Sequence, residues 1–327
     1  MLLDPLIVAR AIHFASTIMI GGAFAFSIFV GEPVWQRTET LPPDIAAPAR
    51  LQLTRLIWFS LAVAVASGLA WLLVLAAEIG GESLSDALRD GTAWAVLTDT
   101  QFGFVWELRA VFAMILALLL LPGRAAGHWP RARRILMGCI AGLLLGSLTW
   151  AGHAAAAAGL GGGLHVISDI AHLLAAGTWL GGLVPLFLFM GHADRALRRS
   201  PSATPEQVLY RFSALGIVAA GTIAASGTVN TWFLTDHLRG VIGTDYGRLV
   251  LLKIGLFALM LCIAGVNRVR LTPRVAAAID AAGSLQALSA WGQLRRNTAI
   301  EVAIGLAVIC VVGALGVTMP SGHTHQP

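Results

Sequence analysis

Apolar residues run through this chain in eight long blocks separated by short polar segments. The blocks lie near residues 8–30, 54–77, 104–121, 135–152, 166–190, 209–234, 248–267 and 299–319. Each is about 20 residues, the length a helix needs to cross a bilayer core. Lipid offers open backbone no hydrogen-bond partners, so each block is expected to be a helix. The pattern predicts an all-α polytopic membrane protein with eight transmembrane helices, forming one membrane domain over residues 1–327. The longest interruption, 78–103, is also the most acidic, and its LSDALRD and WAVL pieces predict short surface helices.

Composition agrees. Hydrophobic residues make up 57% of the chain and charged residues only 12%, against about 25% charged in a soluble protein. The net charge of +5 does not point to nucleic acid, because the basic residues sit between the apolar blocks. Odd-numbered loops hold sixteen arginines, among them Arg37, Arg131, Arg198 and Arg268, and the even-numbered loops hold Arg89, Arg239 and Arg248. Lys and Arg mark the cytoplasmic side. The odd loops are therefore expected in the cytoplasm and both termini in the periplasm. The first block lacks the charged start and small-residue cleavage site of a signal peptide, so a retained helix is expected. The sequence shows no Walker A motif, GxSxG or HExxH, which argues against an ATP-driven pump and against those hydrolases. No enzymatic activity is expected.

Blocks four apart resemble each other. His13 precedes Gly21-Gly22 as His172 precedes Gly181-Gly182. Ala66-Ser67-Gly68 matches Ala225-Ser226-Gly227. Phe102-Gly103 precedes Arg109 by the offset at which Tyr246-Gly247 precedes Lys253, and Thr149 to His153 matches Thr318 to His323. The register predicts two parallel halves of four helices, 1–160 and 161–327, related by an axis along the membrane normal. Chance likeness among Gly- and Ala-rich helices is the alternative.

With that orientation, polar residues gather at one depth. Arg10, His13, Glu107, Arg109, Asp169, His172 and Lys253 fall in the outer parts of inward-running helices. His153, Asn230, Met319, His323 and His325 fall at or just beyond the outer ends of the others, and His165 begins the fifth. Ionisable groups at membrane depth are costly and mark function by default. His165, Asp169 and His172 share one helical face. Imidazole binds copper, zinc, iron and nickel, and its second nitrogen wants a partner such as a carboxylate. The candidate metal set is therefore His13, His153, His165, His172 and Asp169, with the tail's Met319, His323 and His325. Arg10, Glu107, Arg109 and Lys253 are the supporting polar groups, balancing carboxylates or snorkelling to the interface. Haem b with His13 and His172 as axial ligands is a rival chemistry. Five methionines and Cys139, Cys262 and Cys310 are scattered through the blocks without pairing, and core packing is expected for them. Asn267, Arg268 and Glu301 predict a structural polar contact near the cytoplasmic face.

These residues carry a resemblance. ARAIHF (9–14), WAGHAAA (150–156), LHVISDIAHLLAAGTWLGGLVPL (164–186), DYGRLVLLKIGLFALML (245–261) with NRVRLTP (267–273), and LRRNTAIEVAIGL (294–306) are similar to the copper resistance protein D (CopD) family of bacterial inner-membrane proteins. The resemblance implies eight helices and copper transport across the inner membrane. It also implies a small periplasmic copper-binding protein as donor, and carries the family's histidines to His13, His153, His165 and His172. Besides that donor the expected partner is the lipid bilayer, and the sequence is compatible with a homo-oligomer.

Overall fold

The structure, a computed structural model, describes residues 4–37, 43–121, 129–151, 159–197, 205–234, 244–281 and 284–318. Among these residues there is no strand, and eight helices are long and apolar enough to cross a membrane. Span 1 is Pro5–Trp35, span 2 Ile45–Gly80, span 3 Gln101–Leu120 and span 4 Arg131–Trp150. Span 5 is Gly162–Asp194, span 6 Glu206–Trp232, span 7 Asp245–Ile279 and span 8 Leu285–Leu315. Two short helices, Leu84–Arg89 and Thr92–Asp99, lie between spans 2 and 3, where the sequence predicts them.

Spans 1, 2, 5, 7 and 8 run to between 31 and 36 residues, well past the apolar blocks, and most of the excess lies at the odd-loop end. Span 8 starts fourteen residues before its apolar block, at Leu285 rather than 299. The arginines end the apolar pattern without ending the helix. Leu271, Val275, Trp291 and Leu294 are buried there while Arg268, Arg270 and Arg296 face outward, so the chain changes from lipid-facing to amphipathic and stays helical.

Among the described residues three π-helical turns interrupt the spans, at Phe26–Gly31, Gly177–Gly181 and Asn267–Leu271. Each ends shortly before a proline, Pro33, Pro185 or Pro273. Proline has no N–H, and its ring crowds the carbonyl four residues back. A π turn absorbs that conflict without breaking the helix. The freed carbonyl of Phe29 accepts from Arg211 Nη1 of span 6 at 3.4 Å.

Span 1 is the most buried and span 7 the least. Span 1 packs on spans 2, 4, 5, 6 and 8, and span 5 on spans 1, 2, 4, 6 and 8. The two central helices cross at glycines. A β-carbon on Gly22 would fall onto the backbone of Gly181 and the carbonyl oxygen of Gly177. One on Gly181 would fall onto the carbonyl oxygen of Ile18. The contacts are reciprocal, each glycine meeting the carbonyl one turn before the other. Close backbone approach through small residues drives helix association where lipid removes the hydrophobic term. Gly22→Leu is therefore expected to abolish the monodisperse folded peak in fluorescence-detected size exclusion. An unchanged peak and melting temperature would contradict this packing.

At the odd-loop end Glu32 is buried and accepts from Arg50 Nε at 2.8 Å and Nη2 at 3.1 Å, with Arg134 Nη1 at 3.7 Å. One carboxylate thus ties spans 1, 2 and 4 together.

Packing does not absorb all the sulfur residues. Met137, Met190 and Met260 are buried, but Met114 and all three cysteines are exposed on the outside of the bundle. The expectation of core packing fails for those four because the lipid-facing surface is as apolar as the interior.

Candidate functional site

The sites of interest grow from how two histidines are held. His13 projects from span 1 towards span 2. Its Nδ1 lies 2.9 Å from the carbonyl oxygen of Ala64 and 3.2 Å from Ser67 Oγ. Its Nε2 lies 2.6 Å from Arg109 Nη2 of span 3. A carbonyl only accepts and a guanidinium only donates. Together they set the tautomer: Nδ1 carries the proton and the Nε2 lone pair accepts from Arg109. Arg109 is itself buried, and its Nη1 donates to Leu144 O at 2.9 Å and Ser147 Oγ at 2.6 Å, while Nη2 also reaches Thr17 Oγ1 at 3.4 Å. Both nitrogens of His13 are thereby engaged.

His172 repeats the first part of this arrangement. It projects from span 5 towards span 6, and its Nδ1 lies 3.0 Å from Ser226 Oγ. The Ser226 hydroxyl donates back to Thr222 O at 2.5 Å, as that of Ser67 donates to Val63 O at 2.6 Å. Ser226 therefore accepts from His172 Nδ1–H, which leaves a lone pair on Nε2. Glycine follows each serine because the imidazole lies against it: a β-carbon at Gly68 or Gly227 would stand 3.2 or 3.4 Å from the ring Cε1. Among the described residues nothing hydrogen-bonds His172 Nε2.

The helices that supply the cations also start alike. Thr100 caps span 3 by accepting from Gly103 N at 3.0 Å, and Thr244 caps span 7 by accepting from Gly247 N at 3.1 Å. Arg109 and Lys253 follow those glycines at the same offset. Their neighbours differ. Arg109 closes onto His13, whereas Lys253 is the charged neighbour of both His172 and Asp169.

Around Asp169 the second histidine has a polar surround that the first lacks. Asp169 Oδ1 accepts from Asn230 Nδ2 at 3.1 Å. His165, buried one turn earlier on span 5, and Tyr246 of span 7 are electrostatic neighbours of the carboxylate. The Thr149 hydroxyl of span 4 lies beside it. Asn230 Oδ1 is buried without a hydrogen-bond partner among the described residues. An unmet acceptor in an apolar interior is costly. Carboxylate, imidazole, hydroxyl and an uncommitted amide oxygen thus meet at one end of spans 4 to 7.

The structure gathers His165, Asp169, His172, Asn230 and Lys253, and separately His13 with Arg109. Arg10 does not snorkel. It is buried, with its guanidinium carbon 4.8 Å from the Trp71 ring centroid, where a cation–π contact forms. Glu107 is exposed, two residues from Arg109 and so on another face of span 3. His153, Met319, His323 and His325 lie outside the described residues. Among the described residues no three of His, Cys, Asp and Glu come together as a metal cage. Thr17 and Ser147 were not legible as site residues, since a lone hydroxyl in an apolar run carries no signal, and Thr149 was visible only as a repeat match. Ser67 and Ser226 were visible as repeat matches, though not as the partners of the histidines.

Fold and site define a multi-pass, all-helical membrane protein with ionisable groups buried at one end of the bundle. Residues 1–164 match the family described as copper resistance protein D-like, N-terminal domain, and residues 206–315 match copper resistance protein D. The chain belongs to the copper resistance protein D family. It is 28% identical to a "Copper resistance protein D" of Pseudomonas syringae pv. tomato over 69% of this chain and 71% of that protein. It is 29% identical to "Inner membrane protein YebZ" of Escherichia coli (strain K12), over 96% of this chain and 98% of the other. It is 26% identical to "Copper transport protein CutJ" of Bacillus subtilis (strain 168) over 80% of this chain, which spans 45% of that longer protein. No solved structure matches. A copper-related function in the inner membrane follows from these relationships.

Proposed function

We propose that this protein moves copper ions across the bacterial inner membrane and has no enzymatic activity. Copper is captured at the polar end of spans 4 to 7, by His172 and His165 with Asp169, joined by His153. The tail residues Met319, His323 and His325 assist capture, offering the thioether and imidazole donors that suit Cu(I) and Cu(II). The arginine bias of the odd loops places this end at the periplasm, with both termini there, and a small periplasmic copper-binding protein is the donor. The observation that carries the reading is the Nε2 lone pair of His172, without a hydrogen bond among the described residues, while the matching lone pair of His13 is taken by Arg109. His13 can ligate only after Arg109 lets go.

The test is reconstitution. Proteoliposomes holding the full chain should accumulate copper faster than empty vesicles, and the His165→Ala/His172→Ala variant should fall to the empty-vesicle rate. Equal uptake by the variant, well folded by size exclusion, would sink the reading. An absorption spectrum of the purified protein addresses the haem alternative. A Soret band would favour haem b on His13 and His172, a state in which His13 Nε2 must leave Arg109.

A further inference from the structure

A pocket of about 250 Å³, open to the outside of the bundle where Ile217, Leu261 and Arg268 are exposed, lies between spans 5, 6, 7 and 8, on the odd-loop side of His172. Trp179, Leu183, Phe212 and Leu261 wall it, and Thr298 and Glu301 of span 8 form its polar side. Glu301 is buried. Its Oε2 accepts from Asn267 Nδ2 at 2.9 Å, and Asn267 Oδ1 accepts from Asn297 Nδ2 at 2.8 Å. Asn267 begins the third π turn, and such turns are frequent at functional sites. Arg268, on the same wall, donates to Ser213 Oγ at 2.7 Å. Among the described residues no cation pairs with Glu301. A carboxyl within a membrane span, held by one neutral amide and lining a pocket, is more than the structural contact expected from the sequence.

Two of the positions that line it are small. His13 and His172 are 159 residues apart, and so are Ser67 and Ser226. In that register Ile57 and Leu61 of span 2 correspond to Gly216 and Ala220 of span 6. Ile57 and Leu61 are buried and belong to the core of the first half. Gly216 and Ala220 line the cavity. The first half is thus filled where the second is hollow, and capped by Arg109 where the second is open. Along span 6, Ala220 at the cavity is six residues from Ser226, the partner of His172, about 9 Å at the helical rise. Ile223 is buried on span 6 within this interval, and Trp179 lines the cavity, its ring meeting Phe257 edge-on with centroids 5.8 Å apart.

We propose that ions cross within the second half, from the polar cluster at Asp169 and His172 into the Glu301 cavity, with Trp179 and Phe257 closing the interval between them. The first half is a filled, arginine-capped copy that serves as scaffold. This rests on the transport reading above and adds its route.

The test installs the first-half residues in the second. G216I/A220L should fill the cavity without touching the outer cluster. In proteoliposomes, copper uptake should fall at least about tenfold, while the copper bound per purified chain stays that of the parent. Glu301→Gln, nearly isosteric, should lower uptake in the same way and guards against misfolding of the filled variant. Uptake within twofold of the parent in either variant, when its size-exclusion profile is that of the parent, overturns the route. Failure of the parent chain itself to take up copper would instead remove the transport reading on which the route depends.

Discussion

Replacing His172 by Ala is expected to cut copper uptake at least about tenfold and remove bound copper, whereas His13→Ala is expected to leave both within about twofold per folded molecule. The two histidines look alike in sequence, and each is held by a serine on the next helix. They differ in the other nitrogen. The lone pair of His13 Nε2 accepts from Arg109 at 2.6 Å. That of His172 has no such partner among the described residues. A ligand needs a lone pair aimed at the metal, so only His172 is ready to bind. Removing one ligand from a site with few others costs at least as much as losing a supporting partner, which is worth about 10–100-fold in affinity. The pair is measured by copper content of purified protein and by uptake in proteoliposomes. Equal losses from both variants would mean that His13 ligates too and that Arg109 moves aside.

Arg109→Ala is expected to be the more damaging change for stability. The guanidinium joins span 3 to His13 and Thr17 of span 1 and to Leu144 and Ser147 of span 4. Hydrogen bonds between membrane helices average about 0.6 kcal/mol and reach about 1.7. Four of them, plus the acceptors left unmet, amount to about 2–4 kcal/mol. The melting temperature in detergent should drop by several degrees, and folded yield with it. Copper binding by the surviving folded fraction should persist, because the cluster around Asp169 lies on other helices. A variant that melts with the parent would show that Arg109 is not a structural tie. Loss of copper from folded Arg109→Ala would show that the first half takes part in binding.

Much of the candidate site was legible because its chemistry is expensive. His13, Arg109, Asp169, His172 and Lys253 stand out in apolar runs, where every ionisable group needs a reason. Topology predicts a common depth for them, and spacing predicts their pairing across the two halves. Which of them touch did not follow. Nothing in the spacing says that Arg109 caps His13 while Lys253 is only an electrostatic neighbour of His172 and Asp169. Arg10, read equally as an interfacial cation, is buried on Trp71. Glu32 gave no signal at the end of the first block, yet it gathers two arginines from different spans. The Glu301 cavity was invisible, since Gly216 and Ala220 are ordinary residues for a membrane helix.

By itself the sequence determined the class of the protein and the number of apolar spans. Those depend on length and hydropathy, which the bilayer reads one residue at a time. It also determined the glycines and serines that recur in both halves. Only the tertiary structure decided which face of each span is inside, because lipid and core are equally apolar and hydropathy cannot tell them apart. Met114 and the three cysteines went outward on that account. Only it decided that the two histidines are unequal, since the lone pair of each is claimed or left by a residue from another helix.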